Sequence, residues 1–310
     1  MSLTPRFPSC IDNSIRKDLV RCQKLAHWKH EMGYQESDQN EHIIAGGAFA
    51  AGLEVARKTY YVGGDTATYA VQAGVQAVYD YPAYKTFRAP AGSTKSQDRV
   101  AGAIAFYFQE YPLATDKLEP LRLNDGSLAI ECSFQFEIPI THPDTDKPLI
   151  YCGRYDMLAE DENGDVWVND EKTTGSLGPK WAAQWELDAQ MSGYCYAANK
   201  MLEAQGDTRR VKGANIRGVS FLKGGYETVQ VPAMRQQWEL DRWYDQVLKD
   251  FTEWAYAYKS QDHNQILDHG CALYNNPCSH SRLCKSRNPE RLIDGNYTIR
   301  FWNPLLRDES

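Results

Sequence analysis

Three successive strand-patterned segments joined by short links, followed at once by a helical one, constrain the fold of this chain more than any other feature. Leu128 to Ile140 alternates apolar and polar side chains, Leu149 to Leu158 reads as a second strand, and Val166 to Lys172 as a third, entered through the turn Glu162-Asn163-Gly164-Asp165. Consecutive strands so linked form a meander, and the helix expected over Trp181 to Met201 can cover one of its faces. Gly218 to Leu222 and Glu227 to Val231 give a further hairpin across Lys223-Gly224-Gly225-Tyr226.

Upstream the pattern is helical. Leu19, Cys22, Leu25 and Trp28 recur at intervals of three within Ile15 to Trp28, placing Cys22 on a buried face. The small-residue run Ala45 to Ala56 reads as a tightly packed helix ending near Arg57, and residues 66–80 and 97–111 as two more helices joined by the link 82–96. Downstream, Met234 to Tyr258 is a long amphipathic helix whose Trp243, Val247, Phe251, Trp254 and Tyr258 form an apolar stripe, read as core. The expectation is one α/β domain over 1–310. It has a mainly helical part at 1–119, a core with a central mixed sheet flanked by helices at 120–232, and a long helix with a cysteine segment at 233–310.

Composition removes several classes. With 42% hydrophobic and 24% charged residues and no internal repeat, the chain is neither a solenoid nor disordered. Ile43 to Val55, its longest weakly polar stretch, is too short to span a bilayer, and no basic and apolar leader opens the sequence; a cytoplasmic protein without membrane contact is expected. A net charge of −7 argues against coating nucleic acid by bulk electrostatics. It does not argue against an enzyme acting on phosphate esters, whose metal-binding carboxylates count towards that total. Cations cluster at Arg16, Lys17, Arg21 and Lys24, at Arg209, Arg210, Lys212 and Arg217, and at Arg282, Lys285, Arg287 and Arg291, each group read as a solvated face.

Chemistry concentrates around Gly153-Arg154-Tyr155-Asp156 and Asn169-Asp170-Glu171-Lys172-Thr173-Thr174-Gly175. On the third strand the period of two puts Val166, Val168, Asp170 and Lys172 on one face and Glu171 on the other. A hairpin brings Asp156 close to Asp170, two carboxylates whose repulsion a divalent cation would relieve. Asp-x-Lys alone also suits a surface hairpin with a salt bridge. Gln190 and Tyr194, at i and i+4 on the following helix, share a face directed at the same strand, with Leu187 and Met191 as the packing positions.

In this order, Gly-x-x-Asp, Asp-x-Lys-Thr and Gln-x-x-x-Tyr resemble the motifs of the RecB-like branch of the PD-(D/E)xK, restriction-endonuclease-like nucleases, over roughly Glu131 to Tyr196. The resemblance implies hydrolysis of DNA with Mg²⁺ or Mn²⁺. It makes Asp156, Asp170 and the backbone carbonyl of Glu171 metal ligands and Lys172 the catalytic lysine, with Gln190 and Tyr194 near the active site or the DNA strand. Many relatives also carry a metal-binding histidine four residues before a helical glutamate. Here Glu54 matches the glutamate, but Ala50 stands at the histidine position, with His42 two turns away. Glu131 is a fallback ligand, otherwise an exposed strand residue.

Eight cysteines without an export signal are not read as disulfides. Cys271, Cys278 and Cys284 fall within fourteen turn-rich residues and look like metal ligands. With Cys22 they resemble the four-cysteine subset of this superfamily, which includes AddB-type helicase-nucleases, CRISPR-associated nucleases and many phage exonucleases, and in which one cysteine before the core and three after it bind a [4Fe–4S] cluster. Six residues separate Cys271 from Cys278 where many relatives have two. Zn²⁺, with His280 or His269 as an added ligand, is the alternative. Cys10, Cys132, Cys152 and Cys195 are expected to pack as small apolar side chains.

The resemblance thus implies a phage-type exonuclease acting on DNA ends or single strands, with a strand-annealing protein as partner. An endonuclease on branched or single-stranded DNA, an adaptation-type nuclease, or a non-catalytic DNA-binding subunit remain as alternatives. No Gly-x-x-x-x-Gly-Lys-Ser/Thr loop is present, so no motor for unwinding is expected.

Overall fold

The structure, a computed structural model, describes residues 4–36, 40–266, 270–273, 276–293 and 295–305. A short strand, Cys10–Ile11 (β1), leads into helix Asn13–Arg21 (α1), whose N-cap Asp12 accepts the Ile15 N–H at 2.7 Å. The helix expected over 15–28 breaks at Cys22, where the backbone is extended (φ −173°, ψ 122°). No glycine or proline marks the break. The extended residue instead places its sulfur to accept the Ile266 N–H at 3.4 Å. The chain resumes as Gln23–Ala26 (α2), a π-helical turn at His27–Glu31 and strand Tyr34–Glu36 (β2).

Helix Glu41–Arg57 (α3) starts earlier than the small-residue run suggests because the Asn40 side chain caps it, accepting the His42 N–H at 2.9 Å. It is followed by Ala67–Asp80 (α4), Ala83–Thr86 (α5) and Gln97–Glu110 (α6). Strands Leu118–Pro120 (β3), Ile130–Thr141 (β4), Pro148–Asp161 (β5) and Val166–Thr174 (β6) come next, and Gly164 takes the left-handed φ of +80° that the β5–β6 turn requires.

The single helix expected over 181–201 is instead Pro179–Ala183 (α7), a 3₁₀ turn at Gln184–Leu187, and Ala189–Ala204 (α8). Asp188 restarts it as an N-cap, accepting the Met191 N–H at 3.0 Å, and this leaves Leu187, expected to pack, 80% exposed. Strands Val211–Phe221 (β7) and Tyr226–Met234 (β8) follow, then Gln237–Ser260 (α9). Met234 thus ends a strand rather than opening a helix, because Arg235 continues the β7 pairing by donating its N–H to Lys212 O at 3.0 Å. Short strands Ala272–Leu273 (β9) and Asn276–Pro277 (β10), helix Ser281–Lys285 (α10) and strand Tyr297–Ile299 (β11) complete the described chain.

The chain divides into two compact units, one drawn from Met1–Asp38, Gln135–Gly153 and Arg242–Glu309, the other from Gln39–Phe134 and Arg154–Asp241. In the second unit β5 and β6 are antiparallel, β6 and β7 parallel, and β7 and β8 antiparallel, so the sheet is mixed; β3 adds antiparallel to β5. Helices cover both faces. Val219 and Phe221 of β7 share a core with Ile44, Phe49, Leu53, Val100 and Ile104 of α3 and α6, whereas on the other face Gly218 lies under Trp181 of α7 so closely that a Cβ there would sit 2.3 Å from the ring.

The small residues of α3 have a packing role. Gly52 meets Gly74 of α4 with so little space that a Cβ on Gly74 would lie 2.6 Å from the Gly52 carbonyl oxygen. This is the mixed α/β architecture expected from the sequence.

In the first unit β1 runs parallel to Ile150 and Tyr151, and β11 pairs antiparallel with β2. The apolar stripe of α9 is core, with Trp243, Val247, Phe251, Trp254 and Tyr258 all buried. Of the described residues, no helix is long and apolar enough to cross a membrane.

Candidate active site and cysteine group

Strand alternation on β6 divides its side chains as expected. Asp170 and Lys172 lie on one face, Asn169 and Glu171 on the other, where Glu171 meets side chains of α3 and α6 and Asn169 meets Glu171 and Asn215 of β7. The β5–β6 register, with Met157 opposite Asn169, sets Asp156 beside Asp170 and Glu171. Asp156 lies within β5 rather than at its end, and its carboxylate accepts the Glu171 backbone N–H at 2.8 Å. Lys172 Nζ stands 2.5 Å from Asp170 Oδ2, a close ion contact with a buried oxygen. The pair is therefore not the surface salt bridge that Asp-x-Lys alone allows: Asp170 is 1% exposed.

Burial pushes the Asp156 carboxyl well above the usual range, and the neighbouring charges of Asp170 and Glu171 push it further. Burial also raises Asp170, against the pull of Lys172. Burial works against the charge on Lys172, but attraction to Asp170 and Asp156 outweighs it and holds the ammonium above its ordinary value. Two carboxylates that are costly to ionise together and a backbone carbonyl on the intervening residue make a donor set of the hard-oxygen kind that divalent cations take.

Glu171 is anchored on the opposite face. Arg57 grips its carboxylate with both guanidinium NH₂ groups, one of them at 3.1 Å from Oε2, while Tyr107 donates to Oε1 at 2.8 Å and Asn169 at 2.5 Å. Asn215 supports Asn169 at 2.8 Å. Arg217 donates to Tyr107 OH at 3.3 Å and forms a two-pronged pair with Asp116 at 2.6 Å on each oxygen. Burial alone would raise Glu171, but Arg57, with help from Arg217 and Tyr107, brings it down to about 2. Arg217 is thus 1% exposed and structural, not part of a solvated cationic face. Arg16 likewise is buried and paired with Asp250 at 2.7 Å.

A pocket of about 230 Å³ opens beside this strand, lined by Asp156, Glu171, Lys172 and Thr173 together with Gly46, Phe49, Ala50 and Leu53 of α3, and by Glu131. The expectation of an exposed Glu131 is corrected. Its side chain is 7% exposed, it pairs with Arg154 at 2.9 Å, and its backbone takes a φ of +50°, which turns it into the pocket's wall. Burial raises its carboxyl to about 7, an effect opposed by Arg154 and assisted by Glu54 and Glu171. Glu54 stands near enough to act on Glu131 electrostatically, yet its own carboxylate is held by Lys58 at 2.5 Å. His42 is outside the site, its side chain 71% exposed beside Glu41. Ala50 lines the pocket at the position where relatives carry histidine.

Gln190 and Tyr194 share a face of α8 as expected, Gln190 donating to the Tyr194 hydroxyl at 2.9 Å. The Tyr194 ring packs edge-on against Tyr155 and Phe134. Asp188, which caps α8, acts electrostatically on both Asp170 and Lys172, so the start of this helix lies by the site.

In the other unit the structure brings the four singled-out cysteines together. Burial raises the thiols of Cys278 and Cys284, and each feels the charge of Cys22 and Cys271. Cys278 donates its backbone N–H to Cys271 O at 2.7 Å. His280 cannot join them as placed, because its two ring nitrogens are engaged by Ser279 Oγ and Tyr34 O, both at 2.8 Å; His269 lies outside the described residues. Cys10, Cys152 and Cys195 are buried, and Cys132 is partly exposed.

Sequence reading missed Arg57, Tyr107, Asp116, Asn169, Asn215 and Arg217. The available signal was weak: polar side chains at alternate positions of β6 and β7, Asn169 with Glu171 and Asn215 with Arg217.

A search among curated proteins returned no match. Among solved structures, a candidate exonuclease from Eubacterium rectale aligns over 90% of this chain and 94% of its own at 14% identity, with a TM-score of 0.48. The protein SSO0001 aligns over 76% and 83% at 13% identity, with a TM-score of 0.27. The family model described as the PD-(D/E)XK nuclease superfamily matches residues 16–285, and the chain belongs to that superfamily.

Proposed function

We propose that this nuclease is a Mg²⁺- or Mn²⁺-dependent DNA exonuclease of the phage or prophage type, working on DNA ends or single strands beside a strand-annealing protein. The observation that carries the metal-dependent reaction is the Asp156–Asp170–Lys172 group, with Asp170 buried and the other two half-buried, beside an open pocket. The finer assignment to end resection rests on the resemblance of its motifs. Asp156, Asp170 and the Glu171 carbonyl would hold the ion, with Glu131 and Glu54 nearest for a second. When bound, the ion supplies a Lewis acid for a phosphoryl oxygen and acidifies water.

The chain's own groups do the rest. Lys172, kept protonated by its carboxylate neighbours, offsets charge on the phosphate and orients the attacking water. Arg57, Tyr107 and Asn169 fix Glu171 from behind, so that its main chain keeps its place on the active face. Gln190 and Tyr194 face the nucleic-acid strand from the start of α8.

Cys22, Cys271, Cys278 and Cys284 are proposed to hold a [4Fe–4S] cluster. Burial and the charges of Cys22 and Cys271 act on both Cys278 and Cys284, as expected of thiols gathered around one centre; Zn²⁺ is the alternative occupant.

End-labelled linear and closed circular DNA, incubated with Mg²⁺ or Mn²⁺, test the function. Loss of label from linear DNA with the circle intact is expected. Nicking or linearisation of the circle would replace the exonuclease by an endonuclease.

A further inference from the structure

Glu31 is the most completely buried carboxylate of its unit, with no exposed surface, and the mechanism above makes no use of it. It sits in the π-helical turn His27–Glu31, a widened turn of the kind that recurs at functional sites. Its Oε2 lies 2.7 Å from His27 Nδ1 and its Oε1 lies 2.8 Å from His263 Nε2. The two imidazoles face each other with centroids 4.4 Å apart, and Trp254 donates its indole N–H to Oε1 at 2.7 Å.

Among the described residues these two histidines are the ion-pair partners of Glu31, with no lysine or arginine at that distance. A buried carboxylate with no lysine or arginine beside it is costly to keep charged.

We propose that His27, Glu31 and His263 form a second metal site, distinct from both the nuclease centre and the cysteines, for a borderline divalent transition-metal ion such as Zn²⁺. The three ligand atoms already lie within 4.8 Å of one another. Ligands at about 2.0–2.2 Å around a tetrahedral ion stand ~3.3 Å apart, so the present contacts need to open by only about half an ångström each. Two imidazoles and one carboxylate suit zinc or ferrous iron better than Mg²⁺. Trp254 is the outer hydrogen-bond donor that orients the ligating carboxylate. Since His27 and His263 lie 236 positions apart, the ion would tie the π-turn to the segment that follows α9.

The test is X-ray absorption at the zinc edge on the full chain, purified without oxygen, incubated with Zn²⁺ and freed of excess. A nitrogen/oxygen shell near 2.0–2.1 Å with the outer-shell scattering of two imidazoles is expected, which the all-oxygen nuclease centre cannot give, alone or beside a separate sulfur contribution. A shell without imidazole scattering, whether sulfur near 2.3 Å or oxygen alone, or no retained zinc overturns the proposal. Glu31→Gln and His263→Ala should each remove or weaken the imidazole scattering and leave any sulfur signal in place. Should either variant fail to fold, the parent protein's shell decides alone.

Discussion

Replacing Arg57 by methionine isolates what holds the active strand from behind. The guanidinium is buried, as is the Glu171 carboxylate it grips, and their ion pair is closed to solvent on both sides (4% and 3% exposed side chains). Removing one partner of such a pair leaves an uncompensated buried charge, at a cost of roughly 3–5 kcal/mol. That is a large part of the ~5–15 kcal/mol that keeps a domain folded.

The pH dependence gives the effect a signature. In the parent, Glu171 is held at about 2, below its ordinary 4.5, so the stability it contributes is complete above about pH 4.5 and is lost only as pH falls towards 2. Without Arg57, burial dominates and the carboxyl moves above its ordinary value. The penalty is then full above that raised value and shrinks as pH falls through it. Urea unfolding followed by circular dichroism should therefore show a cost of roughly 3–5 kcal/mol near pH 7 that narrows near pH 5. Adding Glu171→Gln to the variant should restore most of the loss. A cost under about 1 kcal/mol, or a gap unchanged between the two pH values, would refute the clamp.

Asp156→Ala, Asp170→Ala and Lys172→Ala should each abolish cleavage of linear DNA with the circular dichroism spectrum retained; a folded Asp170→Ala protein cutting at the parental rate would remove the site assignment. Gln190→Ala should slow cleavage more than it lowers the melting temperature, whereas equal losses would make Gln190 a packing residue. Protein prepared without oxygen should be brown, with Cys22→Ser and Cys278→Ser both colourless, as iron and sulfide analysis can check. Gly74→Ala should cost about 1–3 kcal/mol in thermal unfolding, because its methyl would meet the Gly52 carbonyl oxygen at 2.6 Å and the Ala56 Cβ at 2.9 Å, with Ile104 close behind.

Much of the Asp156–Asp170–Lys172 face could be read directly, since it rests on local rules. Period-two alternation placed Asp170 with Lys172, and the Glu162–Asp165 turn brought Asp156 alongside. The opposite face could not be read, because Arg57, Tyr107 and Arg217 reach Glu171 from segments far off in sequence, and one chain carries no record of such pairings. Arg217 passed for a surface cation because charge composition does not reveal burial. Helix breaks escaped notice for a related reason. At Cys22 and Leu187 neither glycine nor proline stops the helix; a sulfur contact and an N-cap do so. Glu131 was misjudged because its left-handed φ turns a strand residue off the face that alternation assigns it.

The polar chain from Asp116 through Arg217, Tyr107 and Arg57 to Glu171 also has a kinetic meaning. Glu171 lies 114 residues from Arg57 and 64 from Tyr107, while Arg217 lies 101 from Asp116. Loops of that size are closed only once most of the unit has condensed, so these contacts belong to the late, slow part of folding. The β5–β6 hairpin, by contrast, can form from neighbouring residues. The acids can therefore approach one another early, while the strand that presents them becomes rigid last, and DNA cleavage should return during refolding after the sheet's own spectroscopic signal.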